Sequence, residues 1–263
     1  MKLGKSSAPT MSRKIAITGK GGSGKTMLTA IMAKLLAQNK DIKLLAIDAD
    51  SAINLPYALG IETKRTVAEI RQRIIEDPEA RAEIKDKNIR VVMEESLEIG
   101  NGFHILVMGR PEGPGCYCSV NDLLKYGIEG LSHQYDITLI DCEAGPEQVN
   151  RRVVKSVDVL IVVTDTSVRG ARVADSILRV VQRDESIRPA AMGLVINRFK
   201  GDDELIAESV KKWGLDIFGR IPEDKNITDY DASGRSLFNL PETSPSVVAV
   251  REVLQKAALC EII

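Results

Sequence analysis

The chain has 263 residues, 44% of them hydrophobic, and a formal net charge of −1. It is long and apolar enough to bury a full core, and the absence of a long polar tract argues for one large α/β domain rather than a small stapled scaffold. No basic block stands out as a footprint for nucleic acid or an acidic membrane, and no run of about 18 apolar residues occurs, so a soluble, cytoplasmic protein is expected.

Met1 to Arg13 is polar and lacks an apolar segment, fitting neither a signal peptide nor a membrane anchor. Residues 1–12 are expected to be a flexible tail ahead of a single domain over 13–263. The first strand is expected at Lys14 to Thr18. It runs into Gly19-Lys20-Gly21-Gly22-Ser23-Gly24-Lys25-Thr26, after which Leu28, Ile31, Met32, Leu35 and Leu36 recur at helical spacing. A glycine loop between a strand and a helix can wrap a polyphosphate, because its backbone N–H groups and the positive end of the helix all face the anion. Lys25 is expected along the β- and γ-phosphates and the Thr26 hydroxyl on Mg²⁺. Gly19 through Thr26, with Met27, form the expected phosphate site.

A second strand, Lys43 to Asp48, ends in Asp48-Ala49-Asp50-Ser51. A carboxylate near the γ-phosphate can position an attacking water, which assigns Asp50 to the water and Asp48 to the loop or the magnesium shell. Residues 65–98 are charged and weakly patterned. They read as a helix at Val67 to Ile75 and solvated loop, with a short hairpin around Val91 to Ile99 leading to a strand at Phe103 to Met108; a long insertion of this kind can also serve as a partner-binding flap. Gly113-Pro114-Gly115-Cys116-Tyr117-Cys118 follows, then a helix at Val120 to Leu131.

The strand Asp136 to Asp141 ends in Asp141-Cys142-Glu143-Ala144-Gly145. Asp141 is expected as a second Mg²⁺ anchor, Gly145 as an N–H donor to the γ-phosphate, and Cys142 as a small buried residue. Beyond a strand at Val157 to Thr164 and a helix at Gly170 to Arg183, the strand Ala191 to Asn197 ends in Asn197-Arg198. The Asn197 amide matches the N6 and N7 edge of adenine, and Lys200 stands where guanine selection wants a carboxylate, so ATP is favoured over GTP. A helix at Asp203 to Trp213 and a strand at Asp216 to Arg220 lead to Ile221-Pro222-Glu223-Asp224, which serves either as a second part of the base pocket, through Pro222 and Asp224, or as a turn. A helix at Pro245 to Leu259 closes the pattern. Short, nearly continuous apolar strands alternating with helices imply a mostly parallel, doubly wound sheet, with ligands outside the carboxyl ends of its strands. His104, in an apolar strand, and His133, after a helix, read as structural.

Lys20 goes beyond the generic loop. With Asp48-Ala49-Asp50 and Asp141-Cys142-Glu143-Ala144-Gly145, the loop resembles the deviant Walker A ATPases of the ParA/MinD and nitrogenase iron protein group. The resemblance implies a P-loop NTPase in which Lys20 reaches across a two-fold homodimer to the partner's phosphates, joining Lys25 and Asp50 as the catalytic set. Cys116 and Cys118 can bind one soft or borderline metal ion but supply only two of four ligands; a two-fold dimer supplies the other two at its axis. Met108-Gly109-Arg110, the Gly-Cys-Tyr-Cys run and the Asp-Cys-Glu-Ala-Gly segment together resemble the CooC family. That family inserts nickel during maturation of carbon monoxide dehydrogenase and, in a close branch, acetyl-CoA synthase. A nickel-enzyme client and Ni²⁺ cargo are implied by this resemblance alone, since thiolates also take Zn²⁺ or copper. Met27 and Ser51 depart from the usual threonine and proline without removing a ligand. A MinD/ParA-type positioning ATPase and an iron–sulfur carrier are the alternatives. The first would want a basic amphipathic C-terminal helix or a basic surface stripe, and the second a cluster at the same axis.

Overall fold

The computed structural model of the chain describes residues 12–79, 89–110, 125, 127–145, 157–201 and 204–259. Its frame is an eight-stranded sheet built from β1 (Arg13–Gly19), β2 (Leu44–Ala49), β3 (Glu98–Ile99), β4 (His104–Val107), β5 (Ile137–Cys142), β6 (Val159–Thr164), β7 (Ala191–Phe199) and β8 (Asp216–Pro222), in the order β3-β4-β2-β5-β1-β6-β7-β8. Every pairing is parallel except β3 with β4. The helices are α1 (Lys25–Leu36), α2 (Leu55–Leu59), α3 (Val67–Glu76), α4 (Ile89–Glu94), α5 (Val168–Arg183), α6 (Glu204–Trp213), α7 (Lys225–Ala232) and α8 (Pro245–Leu254), with a further helical stretch at 127–132.

The alternation of strand side chains divides the interior into two cores. Ile15, Ile17, Leu139, Val159, Ile161 and Val163 face α1, α2 and α8. Ala16, Ile47, Ile140 and Val162 face α3, the 127–132 stretch, α5 and α6. Strands covered on both sides must be apolar at nearly every position, which is why they read as continuous runs rather than as alternating ones. Leu28, Ile31, Met32 and Leu36 of α1 are fully buried, each side chain contributing roughly 1.5–3 kcal/mol against exposure. This core anchors the helix that carries the phosphate loop. Among the described residues no helix is long and apolar enough to cross a membrane.

The single α/β domain and its mostly parallel, doubly wound sheet are as expected, and the expected strands are present with small shifts at their ends. The hairpin expected around Val91 to Ile99 is not. Val91 and Val92 lie in α4, and only Glu98–Ile99 pairs antiparallel with β4. The adjacent Val92 and Met93 are both buried while Val91 is exposed, a pattern that a helix face accommodates and a half-buried strand does not. The helix expected to run to Leu259 instead ends at Leu254 and continues as a π-helical turn, Gln255–Leu259. α2 and α7 are short and carry too little periodic signal to be expected from the sequence. Ser12 is the one described residue of the expected tail, and its hydroxyl donates to the Ser132 carbonyl at 2.7 Å. His104 is half-buried in β4, with Nδ1 2.6 Å from the Tyr135 hydroxyl.

Candidate functional site: a phosphate loop with a carboxylate pair

β1 sits between β5 and β6, and the loop leaving its carboxyl end lies where the chain direction switches across the sheet. Gly19 has φ 148, and a Cβ there would run into the Val163 carbonyl of β6, so the backbone passes β6 only as glycine. Gly24 precedes α1 in a left-handed conformation, φ 98. A Cβ on Gly24 would occupy the place of the Asn197 amide.

That amide holds the loop. Asn197 Nδ2 donates to the Ser23 carbonyl at 2.7 Å, its Oδ1 accepts from the Arg198 backbone N–H at 2.9 Å, and the Arg198 guanidinium donates to the Gly22 carbonyl. Because the peptide is planar and trans, fixing the Ser23 carbonyl toward β7 turns the Gly24 N–H the opposite way. Lys25 is buried, with Nζ 3.3 Å from the Lys20 carbonyl, which also accepts from the Ser23 N–H at 3.1 Å. The loop is thus folded on itself, its lysine lodged at its own backbone.

On the other side of β1, Asp48 of β2 and Asp141 of β5 are cross-strand partners and both are buried. Asp48 accepts the Asp50 N–H on one oxygen and the Leu55 N–H on the other, each at 3.0 Å, so it pins the turn into α2. The Thr26 hydroxyl donates to Asp141 Oδ2 at 2.6 Å, while Asp141 Oδ1 is buried with no partner. Burial first, then repulsion from Asp141, pushes the Asp48 carboxyl up to about 8. Burial pushes Asp141 up to about 7 against the opposing pull of Thr26 and Lys25. The Thr26 hydroxyl and the orphaned Asp141 oxygen are hard-oxygen donors of the kind that suits Mg²⁺, while Asp48 behind them has both oxygens engaged by backbone N–H groups.

Asp50 is half-buried at the same edge, its Oδ1 accepting from the Ala52 N–H at 2.9 Å. Gly145, at φ 89, donates its N–H to the Gly19 carbonyl at 2.9 Å in this conformation. Lys20 Nζ is paired with Asp165 Oδ2, just beyond β6, and the Ser167 hydroxyl bonds the other oxygen of Asp165. Burial opposes ionisation of Asp165, yet the hydrogen bonds from Lys20 and Ser167 hold its carboxyl below the usual range.

A pocket of about 680 Å³ opens beside the loop, lined by Gly24, Met27, Asn197, Arg198, Pro222 and Asp224 among others. The residues expected at the base therefore do gather. Asp224, however, is fully engaged elsewhere. It accepts the Asn226 N–H at the start of α7, and the Ser246 N–H, the Ser246 hydroxyl and the Ser244 hydroxyl at the start of α8. Although its burial opposes ionisation, these bonds hold its carboxyl below the ordinary range. Cys142 is buried, as expected. Cys116 and Cys118 lie outside the described residues. Sequence reasoning missed Asp165, although it closes the apolar run Val159 to Thr164 in the same strand-end position that singled out Asp48 and Asp141. It also missed Ser244 and Ser246, which carry no local signal because they act on a residue in a distant turn.

Residues 14–237 match the family described as the CobQ/CobB/MinD/ParA nucleotide binding domain. An uncharacterized ATP-binding protein of Methanocaldococcus jannaschii is 40% identical over 247 residues, covering 92% of this chain and 97% of that one. The carbon monoxide dehydrogenase accessory protein CooC of Rhodospirillum rubrum is 28% identical over 251 residues, covering 86% and 90%. Among solved structures, the septum site-determining protein MinD of Pyrococcus horikoshii OT3, complexed with Mg-ADP, superposes with a TM-score of 0.69 at 22% identity, over 94% of this chain and 96% of that one. Loop, sheet order and relatives agree: the chain belongs to the CobQ/CobB/MinD/ParA nucleotide-binding family and is a P-loop ATPase.

Proposed function

We propose that this ATPase is a dimeric metallochaperone, in which ATP closes two copies around two nucleotides and around a metal ion held by Cys116 and Cys118 of each. For the nucleotide half, the supporting observation is the orphaned Asp141 oxygen beside the Thr26 hydroxyl, at the foot of a loop whose lysine is already buried. Thr26 and Asp141 would hold Mg²⁺, with Asp48 fixing the turn behind them. When bound, the ion neutralises charge on the phosphates. Lys25 leaves the Lys20 carbonyl for the β- and γ-phosphates, Asp50 orients the attacking water, and Lys20 crosses to the partner's nucleotide. Asn197 and Arg198 keep the loop carbonyls turned away from the phosphates, and Pro222 flanks the base. With ATP at about 1,000 times its dissociation constant, selective binding biases the closed state by roughly 4 kcal/mol.

The cargo half is supported by the Cys116-Tyr117-Cys118 run and by the CooC relative. Nickel is the cargo and not a resident cofactor, and Zn²⁺ is a chemically acceptable substitute in vitro. The client is a nickel enzyme of the carbon monoxide dehydrogenase or acetyl-CoA synthase type. A positioning ATPase is the second reading, favoured by the likeness to MinD. The two separate in one experiment: anaerobic protein with Ni²⁺, with and without ATP, as wild type and as Cys116→Ala/Cys118→Ala. One ion per dimer, lost in the double variant, supports metal delivery. ATP-driven dimers without stoichiometric metal support positioning. A brown protein with visible absorption marks an iron–sulfur carrier instead.

A further inference from the structure

We propose that the outward face of α5 is a docking surface for an acidic helix of a partner protein. Its inward residues Ala171, Ala174, Ile177, Leu178 and Val181 pack on the core. Its outward residues are Arg169, Arg172, Ser176, Arg179 and Arg183, all exposed. They recur at steps of three, four, three and four, the spacing of a single seam along a helix, and the seam runs about 21 Å.

Among the described residues, only one of these four charges is paired: Arg179 bonds Asp175 at 2.7 Å, and Asp175 also accepts the Trp213 indole N–H at 2.9 Å. Asp184, at the end of the helix, accepts from the Ser186 N–H at 3.0 Å and from the Ser186 hydroxyl. Among the described residues no carboxylate pairs with Arg169, Arg172 or Arg183. Lys211 and Lys212, exposed near the end of the neighbouring α6, add to the same sign. A chain with net charge −1 thus concentrates positive charge on one helix face.

The chemistry selects the occupant. All the charges of the seam are guanidinium groups, whose planar fork takes carboxylates in pairs, and a row at helical spacing is met most completely by carboxylates at the same spacing on a second helix. A second copy of the same face would oppose like charges across a two-fold axis. An anionic membrane calls for large apolar side chains alongside the basic ones, and on this face only Val168, 55% exposed, is a large exposed hydrophobic residue. A basic stripe also suits duplex phosphates, which makes DNA the competing occupant. The seam begins two residues after Ser167, whose hydroxyl bonds the Asp165 carboxylate that holds Lys20. A docked helix therefore lies next to the residue proposed to cross to the partner's nucleotide.

The test uses the full chain and a labelled alanine-based helical peptide carrying glutamates at the complementary three-four spacing, in 50 mM salt. Fluorescence anisotropy is expected to show saturable binding. It should weaken at least tenfold in Arg169→Glu/Arg172→Glu/Arg183→Glu and when the peptide glutamates become glutamines. A lysine version of the peptide should regain binding on the charge-reversed protein. Unchanged melting and basal ATPase of the variant establish that it is folded. Failure of the glutamate peptide to bind, binding indifferent to the charge reversal, or tighter binding of a 24-base-pair duplex or of phosphatidylglycerol vesicles that the variant loses would each overturn the proposal.

Discussion

Lys20 Nζ is bonded to Asp165 Oδ2 within its own chain, so the lysine that distinguishes this loop is held beside β6. To act on a partner's phosphates it must leave Asp165. A partly exposed pair of this kind contributes about 1 kcal/mol. Closure breaks one such pair in each subunit, so Asp165→Asn is expected to tighten ATP-dependent dimerisation by roughly thirtyfold, as measured by sedimentation over a concentration series. An unchanged dimer constant would mean that the pair does not compete with closure.

The carboxylates beneath the loop predict a pH dependence with a definite sign. The Asp141 carboxyl is pushed up to about 7 and that of Asp48 to about 8, from an ordinary value of 3.8, so the folded protein keeps protons that the unfolded chain releases. Their contribution to stability is full below about pH 4 and is lost as pH rises through 7 to 8, at up to about 1.4 kcal/mol per unit for each group. In chelator without nucleotide, Asp141→Asn should raise the melting temperature more at pH 8 than at pH 5, because asparagine keeps an acceptor for Thr26 and removes the charge. Adding Mg²⁺ with ADP should raise the melting temperature of the wild type and have less effect on the variant. A constant difference between the two proteins across pH would contradict this assignment.

The clamp on the loop predicts a split between two neighbouring residues. Asn197→Ala leaves the Ser23 carbonyl without its donor, and ATP affinity is expected to fall by roughly tenfold, from a loss of about 1–2 kcal/mol. Arg198 is exposed, and Arg198→Ala should cost about threefold or less. Gly24→Ala should be more damaging than either, since it combines a left-handed backbone with a collision at Asn197. Nucleotide binding followed by fluorescence would rank the three.

The phosphate site was legible because its chemistry is local. Gly19 to Thr26 are consecutive, and Asp48, Asp141 and Asn197 each close an apolar run, so strand ends alone pointed to them. What the sequence concealed depends on long-range partners. Asn197 has the amide expected at a base edge, yet both of its polar ends are engaged by Ser23 and Arg198. Asp224 has the charge and position of a base reader, but serines about twenty residues later occupy it. The arginines of α5 are spread over a helix whose overall composition is unremarkable, and they become a stripe only when one face is buried.

Asp224 consequently predicts stability before affinity. Asp224→Ala removes hydrogen bonds at the starts of two helices, α7 and α8, and is expected to destabilise the protein by about 2–3 kcal/mol in urea unfolding. A residue that read the base would instead lose nucleotide affinity with stability intact.

The most direct measurement is ATPase complementation between two inactive variants, Lys20→Ala and Asp50→Ala, assayed separately and as an equal mixture. If Lys20 serves the opposite subunit, a mixed dimer restores one site: the Lys20→Ala chain keeps its own Asp50 and receives a lysine from its partner. Half of the dimers are then mixed and each has one working site, so activity should recover to roughly a quarter of wild type. If the mixture stays at the background of the separate variants, Lys20 acts within its own chain and the ATP-closed dimer loses its catalytic basis.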